Sequence, residues 1–204
     1  MAKDTRERLM TSAERLLNTR GLARIGTRDI ARSAEFADGT LYKHFRGKNE
    51  LIIAVLERAV PMYREVLRDL PFQVGLGTVR GNLEKLADEA FTYNLTVAPL
   101  ICSLFADRIL LKSTRERLRR LGSAPERSFE ILGAYFSAEQ RLGRIAKETD
   151  PKAAASILFN AVFGMAVFDR FTDGPPNLVR RRKRIATLIT VLLRGITPRG
   201  RALR

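Results

Sequence analysis

Thr27-Arg28-Asp29-Ile30-Ala31, then Gly39-Thr40-Leu41-Tyr42-Lys43-His44-Phe45, then Lys48-Asn49-Glu50-Leu51: this stretch decides how the whole chain is read. Ile30, Ala31 and Ala34 follow Thr27, a good N-cap, and Asp29 sits in the first turn, beside the positive end of the helix dipole. A tight turn then leads to a third helix over residues 38–42, and Phe45 stops it. Helices this short bury too little surface to stand alone. They need the apolar face of an earlier helix (Leu9, Ala13, Leu16 and Leu17, ending near Gly21) and the start of a fourth that opens at Gly47. Three small helices packed this way leave the outer face of the third free, and that face has the size to enter a DNA major groove. Gly39 permits close backbone approach, and Thr40 offers a hydroxyl and a methyl group. Tyr42, Lys43 and His44 have the reach for phosphates. Lys48 lies in the first turn of a helix whose N-terminal amides also favour phosphate.

Outward from this stretch the spacing stays helical. The fourth helix carries Leu51, Ala54, Val55, Ala59, Met62 and Val66; Pro61 is expected to kink it and Pro71 to stop it. Further helices are expected over residues 79–97, stopped by Pro99, and from Leu100 towards Ser113. A basic segment, residues 115–120, leads to Gly122 and Pro125, and the next helix carries Phe129, Leu132 and Phe136. Asp150-Pro151, an N-cap followed by proline at the first helical position, starts a helix that runs to about Phe171. Asp173-Gly174-Pro175-Pro176 breaks the chain, and a last helix covers residues 178–194. The fold class is therefore all-α: a small helix-turn-helix domain over residues 1–47, joined by a long helix to a larger helical domain over residues 48–204.

Charge points to the partner. With 37 Lys and Arg against 22 Asp and Glu, the formal net charge of the 204 residues is +15, which favours a polyanion, nucleic acid before acidic membrane. Arg24, Arg28, Arg32, Lys43, Arg46 and Lys48 cluster around the helix-turn-helix, and residues 178–204 contain no acid. The apolar runs, such as residues 185–193, are too short to span a bilayer, so no membrane partner is expected. One cysteine, Cys102, excludes an intrachain disulfide and suits a reducing cytoplasm; its apolar neighbours suggest a small core residue.

The quoted residues, in this order and spacing, resemble the TetR (tetracycline-repressor-like) family of transcriptional regulators over about the first 50 positions. The resemblance implies nine or so helices, a homodimer on a pseudo-palindromic double-stranded operator, and a cavity whose small-molecule ligand controls DNA affinity. By motif position it puts Thr40, Tyr42, His44 and Lys48 at DNA-contacting sites and makes Phe45 the residue that anchors the recognition helix. With Thr27, Arg28, Asp38, Gly39 and Lys43 these make the expected DNA-binding set, Asp38 having the option of accepting a hydrogen bond from a cytosine amino group. The last two long helices, residues 152–172 and 178–194, are the expected dimer interface, where Gly164 allows close approach. Two positions depart from the family's pattern. Glu35 stands where the turn often has glycine, a strain of roughly 1 kcal/mol if the backbone there is left-handed. Ala37 stands where the recognition helix often has a serine cap, unless Asp38 caps one residue later.

In the larger domain Phe91, Tyr93, Asn94, Phe105, Phe129, Phe136 and Phe163 are the expected ligand-binding set; mostly aromatic and without charge, they suggest a neutral, mainly hydrophobic ligand. No cofactor is expected. The single histidine, His44, has no cysteine or carboxylate cluster beside it, so no metal site is expected either. No Ser-His-Asp arrangement and no phosphate loop is present, so the chain is not expected to be an enzyme. The competing reading is a ligand-independent basic helical module that binds nucleic acid or anionic membrane without sequence preference.

Overall fold

The computed structural model describes residues 2–122, 125–172 and 177–195. These residues form nine α-helices and no strand: α1 (Ala2–Arg20), α2 (Thr27–Ser33), α3 (Thr40–His44), α4 (Lys48–Arg68), α5 (Val79–Leu104), α6 (Arg108–Arg120), α7 (Pro125–Arg141), α8 (Pro151–Thr172) and α9 (Leu178–Arg194). They divide into two compact units, residues 1–62 with 96–124, and residues 63–95 with 125–204. The division is not a cut after residue 47, because α4 and α5 each run through both units.

The first unit is built on the helix-turn-helix. Leu9, Ala13 and Leu16 of α1, Ile30 of α2, Leu41 of α3, Phe45, and Leu51 and Ile52 of α4 form its core. Leu100 and Leu104, at the end of α5, and Leu110 of α6 complete that core. Asp107 caps α6 by accepting hydrogen bonds from the amides of Ile109 and Leu110 at 3.0 and 2.9 Å. The segment 115–120, expected as a connector, is the second half of this helix.

The second unit packs α7 on α8 and α8 on α9. Leu83, Phe91, Leu132, Tyr135, Phe136, Leu158, Val162, Ile185 and Ile189 are among its buried residues. Asp150 caps α8 through the Lys152 amide at 2.9 Å. Glu139, fully buried, pairs with Arg144 at 3.2 Å and accepts the Gly75 amide at 3.2 Å, fixing the turn that follows Leu70–Gln73.

Two expectations about helices need correction. Pro99 does not stop its helix: α5 continues to Leu104. Proline removes the amide that would bond to the carbonyl four residues back, and that carbonyl, Leu95 O, instead accepts from Arg170 Nε at 2.7 Å. With the helix unbroken, Leu100 and Leu104 share the inward face, and Cys102, two residues on from Leu100, is turned outward and exposed rather than buried. The second correction is α8, whose mean hydropathy of 1.4 over an 18-residue window makes it long and apolar enough to cross a membrane by length and composition. Scattered polar residues such as Ser156 and Asn160 hide this from a search for unbroken apolar runs. The expected kink at Pro61 and the apolar positions Met62 and Val66 fall on side chains outside the described residues, as does the break at 173–176.

Candidate nucleic-acid interface

α2 begins at Thr27, and its N-cap is Gly26, not Thr27, with extended backbone. Asp29 Oδ2 reaches back to accept the Gly26 amide at 2.7 Å, which frees the Thr27 hydroxyl to meet the Tyr42 hydroxyl at 3.1 Å. α2 ends in a Schellman motif: the Phe36 amide donates to Ala31 O at 2.9 Å and the Glu35 amide to Arg32 O at 3.0 Å. Glu35 occupies the left-handed position of that motif, with φ 63°. Arg8 packs over this turn, donating to Ala34 O at 2.9 Å and to the exposed Glu35 Oε2 at 3.1 Å.

α3 is set by one further turn, in which the Thr40 amide donates to Ala37 O at 2.9 Å. Its N-cap is Gly39, so neither Ala37 nor Asp38 caps it. Asp38 is instead held between Arg28 and Arg32, at 3.7 and 3.6 Å, which offsets its charge. Leu41 and Phe45 are buried, with the Arg6 guanidinium 4.9 Å from the Phe45 ring centre. The opposite face carries Tyr42, 59% exposed, and exposed Gly39 and Lys43, flanked by half-buried Thr40 and His44.

α4 starts beside this face. Glu50 accepts the Arg46 amide at 2.7 Å. Lys48 is half-buried and its ammonium donates to Leu22 O at 2.5 Å, so it ties α4 to the turn after α1. Burial lowers its pKa, against a smaller opposing effect of the Asp107 carboxylate. The Leu22 carbonyl has no sequence signal that pairs it with Lys48. Of the sequence-read set, Thr27, Arg28, Asp38, Gly39, Thr40, Tyr42, Lys43, His44 and Lys48 all fall on α2, α3, the turn between them or the first turn of α4. Arg32 belongs with them through Asp38, and its position one turn after Arg28 was the available signal.

The second unit holds a cavity of about 30 Å³ lined by Leu67, Leu86, Ala87, Leu132, Leu158 and Phe159 among others, with Asn94 and Ser128 as its polar members. Ser128 Oγ is buried without a hydrogen-bond partner. Only Asn94 of the expected ligand set lines this space. Phe91 and Phe136 are core residues, and Tyr93, Phe129 and Phe163 are half-buried, with the Phe129 ring 4.5 Å from that of Phe159. Phe105 needs correction: it follows the end of α5, in the turn before α6, and is 67% exposed. Leu86, Ser128 and Leu158 line the space through their helical phase, a signal that aromatic content does not carry.

α8 has two apolar faces. Ala155, Leu158, Val162 and Ala166 are buried. Ile157, Phe168 and Phe171 point outward, at 55, 66 and 83% exposure, and a Cβ placed on Gly164 would meet nothing within 4 Å. On α9, Leu178, Val179, Val191 and Leu193 are also exposed. The basic run 180–184 is partly committed: Arg181 donates to Asp88 at 2.8 Å and Arg184 to Asp169 at 2.5 Å.

Residues 9–55 match the family model of bacterial regulatory proteins, tetR family. The HTH-type transcriptional repressor NemR of Escherichia coli strain K12 is 35% identical over 80 residues, 39% of this chain and 40% of that protein. The match thus spans about two fifths of that relative's length. Two solved structures share the fold over nearly the whole chain. FadR, the fatty acid degradation regulator of Bacillus halodurans, has a TM-score of 0.70 at 19% identity, covering 95% of this chain and 97% of that one. FadR of Bacillus subtilis, in complex with stearoyl-CoA, has a TM-score of 0.70 at 17% identity, covering 94 and 99%.

Proposed function

We propose that this chain, which belongs to the tetR family by its helix-turn-helix, is a transcriptional repressor that binds operator DNA as a homodimer and is released by a small, mostly apolar ligand. The observation that carries the reading is α3: Leu41 and Phe45 buried beneath it, and Gly39, Tyr42 and Lys43 exposed above. Such a face enters the major groove with Thr40 and Tyr42 towards bases and phosphates, while Arg28, Lys43, His44 and the start of α4 hold the backbone. Asp38, offset by its two arginines, lies in the turn before this helix, and Thr27 meets Tyr42 through their hydroxyls. The chain acts in the bacterial cytoplasm, where its DNA lies, and performs no catalysis.

Five residues of recognition helix read few base pairs, so two copies related by a two-fold axis supply the discrimination a genome demands. The outward faces of α8 and α9 are the apolar surface for that pairing, with Gly164 at the point of closest approach. This use also accounts for a helix apolar enough to span a membrane: one face packs on its own chain, the other on the partner's.

The cavity beside Asn94 and Ser128 has room for a water molecule or two and falls well short of the roughly 300 Å³ of an ordinary ligand site. Ligand entry therefore requires a wider state. A ligand that favours the wider state over the DNA-competent one shifts the balance, and about 1.4 kcal/mol of coupling lowers operator affinity tenfold. α4 and α5, continuous through both units, are the elements through which that coupling passes. The test is selection of duplexes from a random pool by the purified chain. Enrichment of a two-fold symmetric site is expected; recovery of unrelated sequences would leave a basic module without sequence preference.

A further inference from the structure

α6 carries Arg108, Lys112, Arg115 and Arg119 at positions i, i+4, i+7 and i+11, which puts them on one face. All four are exposed, and among the described residues none takes part in an ion pair, whereas Arg117, off this face, binds Glu57 of α4. The stripe is about 16 Å long at 1.5 Å per residue. Its acidic neighbours are few: Asp107 is committed to capping the helix, and Glu116 lies on one flank.

Placement within the first unit gives this face a direction. Leu104 and Leu110 share one core with Leu41, Phe45 and Leu51, so α6 is fixed to the same body as α3 and the start of α4. Lys48 and Asn49, in the first turn of α4, border one open groove with Ser113, Arg117 and Arg120 of α6, where Glu50, Glu57 and Glu116 also line the space. A polyanion bound at the N-terminus of α4 thus passes next to a helix that carries these four cations along its solvent side, with Ile109 and Glu116 beside them.

We propose that the α6 stripe is a second DNA-backbone contact, taking phosphates of the duplex that flanks the site read by α3. The inference rests on the DNA-binding reading above. The phosphates repeat about every 3.4 Å of rise along a strand, so a stripe of this length faces several of them. An anionic lipid surface is the weaker fit, because a helix that lies on a membrane must sink an apolar face into it. Most of the apolar surface of α6, Leu110 with Leu111 and Thr114, is already packed against its own protein, which leaves Ile109, with Phe105 before the helix, as the exposed apolar side chains there.

The test compares the wild type with K112Q/R115Q on two duplexes carrying the site selected from the random pool: one ending at its edges, one extended by about ten base pairs on each side. Both substitutions are on exposed side chains; thermal melting checks the fold, and K112R retains the charge. Each phosphate contact contributes about 0.9 to the slope of log affinity against log salt. The wild type should therefore show a steeper slope on the long duplex, and K112Q/R115Q should lose up to about two units of it while matching the wild type on the short one. Equal slopes for both proteins on the long duplex would overturn the proposal, and so would an equal loss on both duplexes. Loss of binding to phosphatidylglycerol vesicles with DNA slopes unchanged would reassign the stripe to lipid. Equal wild-type affinity for selected and scrambled sites would instead defeat the repressor reading, while the comparison of lengths still decides the stripe.

Discussion

Phe168→Glu should dissociate the proposed dimer. Phe168 is 66% exposed on the outward face of α8, one turn beyond Gly164 and close to Phe171. A phenylalanine buries on the order of 200 Å². Two thirds of that, at about 25 cal/mol per Å², is about 3 kcal/mol for each copy. Two-fold symmetry counts the residue twice, for about 6 kcal/mol per dimer. Half of that, allowing for incomplete burial and for the methylenes that glutamate keeps, still raises the dissociation constant more than about 100-fold. The folded protomer should be little affected, because the side chain packs on nothing that its own core requires. Sedimentation equilibrium across micromolar concentrations reads the association, and circular dichroism the fold. A Phe168→Glu chain that sediments as a dimer with wild-type affinity, or a wild type that is monomeric at micromolar concentration, would refute the assignment of this face.

Arg170→Ala should destabilise the wild type by about 1 kcal/mol, since it strips the partner from the Leu95 carbonyl, and should cost clearly less in a Pro99→Ala background, where an amide is restored; additive losses in urea unfolding would show that the two are not coupled. Glu35→Gly should raise stability by up to about 1 kcal/mol, because φ 63° suits glycine and the exposed pair with Arg8 contributes little; a loss in the same assay would mean the Arg8 contacts outweigh the strain. Lys48→Ala should lower the salt slope by about one unit on every sequence and also cost stability through the abandoned Leu22 carbonyl; a melting shift with the slope unchanged would confine Lys48 to structure. Burial pushes the Tyr93 and Tyr135 phenols up to about 12 from the ordinary 10.0, so the stability they provide is intact below pH about 10 and is lost as pH rises towards 12; absorbance titration in which every tyrosine ionises at the ordinary value would contradict this.

The helices were largely legible because their signals are local. Asp150-Pro151 marked the start of α8, and the apolar spacing after residue 178 marked α9 to its last turn. The helix-turn-helix was legible for the same reason, since Ile30, Ala31, Leu41 and Phe45 must all turn inward for helices so short to persist. What escaped was tertiary compensation. Pro99 reads as a stop unless Arg170, far along the chain, is known to take the orphaned carbonyl. The exposure of Phe105 and Cys102 follows from that same unbroken helix and the turn after it. At the candidate interface the residue types were readable but their engagements were not: Asp38 is bound by arginines one turn of α2 apart, and Lys48 is half withdrawn to Leu22.

The most direct test of the central claim is equilibrium binding of the wild-type chain to the selected site and to a scrambled duplex of equal length and composition, at the same salt. A sequence-reading α3 predicts an affinity ratio of roughly 10³ or more in favour of the selected site. With a net charge of +15, binding to both duplexes at low salt is expected in any case, so the ratio and not the affinity decides. A ratio near one would contradict the account and leave the chain a basic helical protein that holds DNA without reading it.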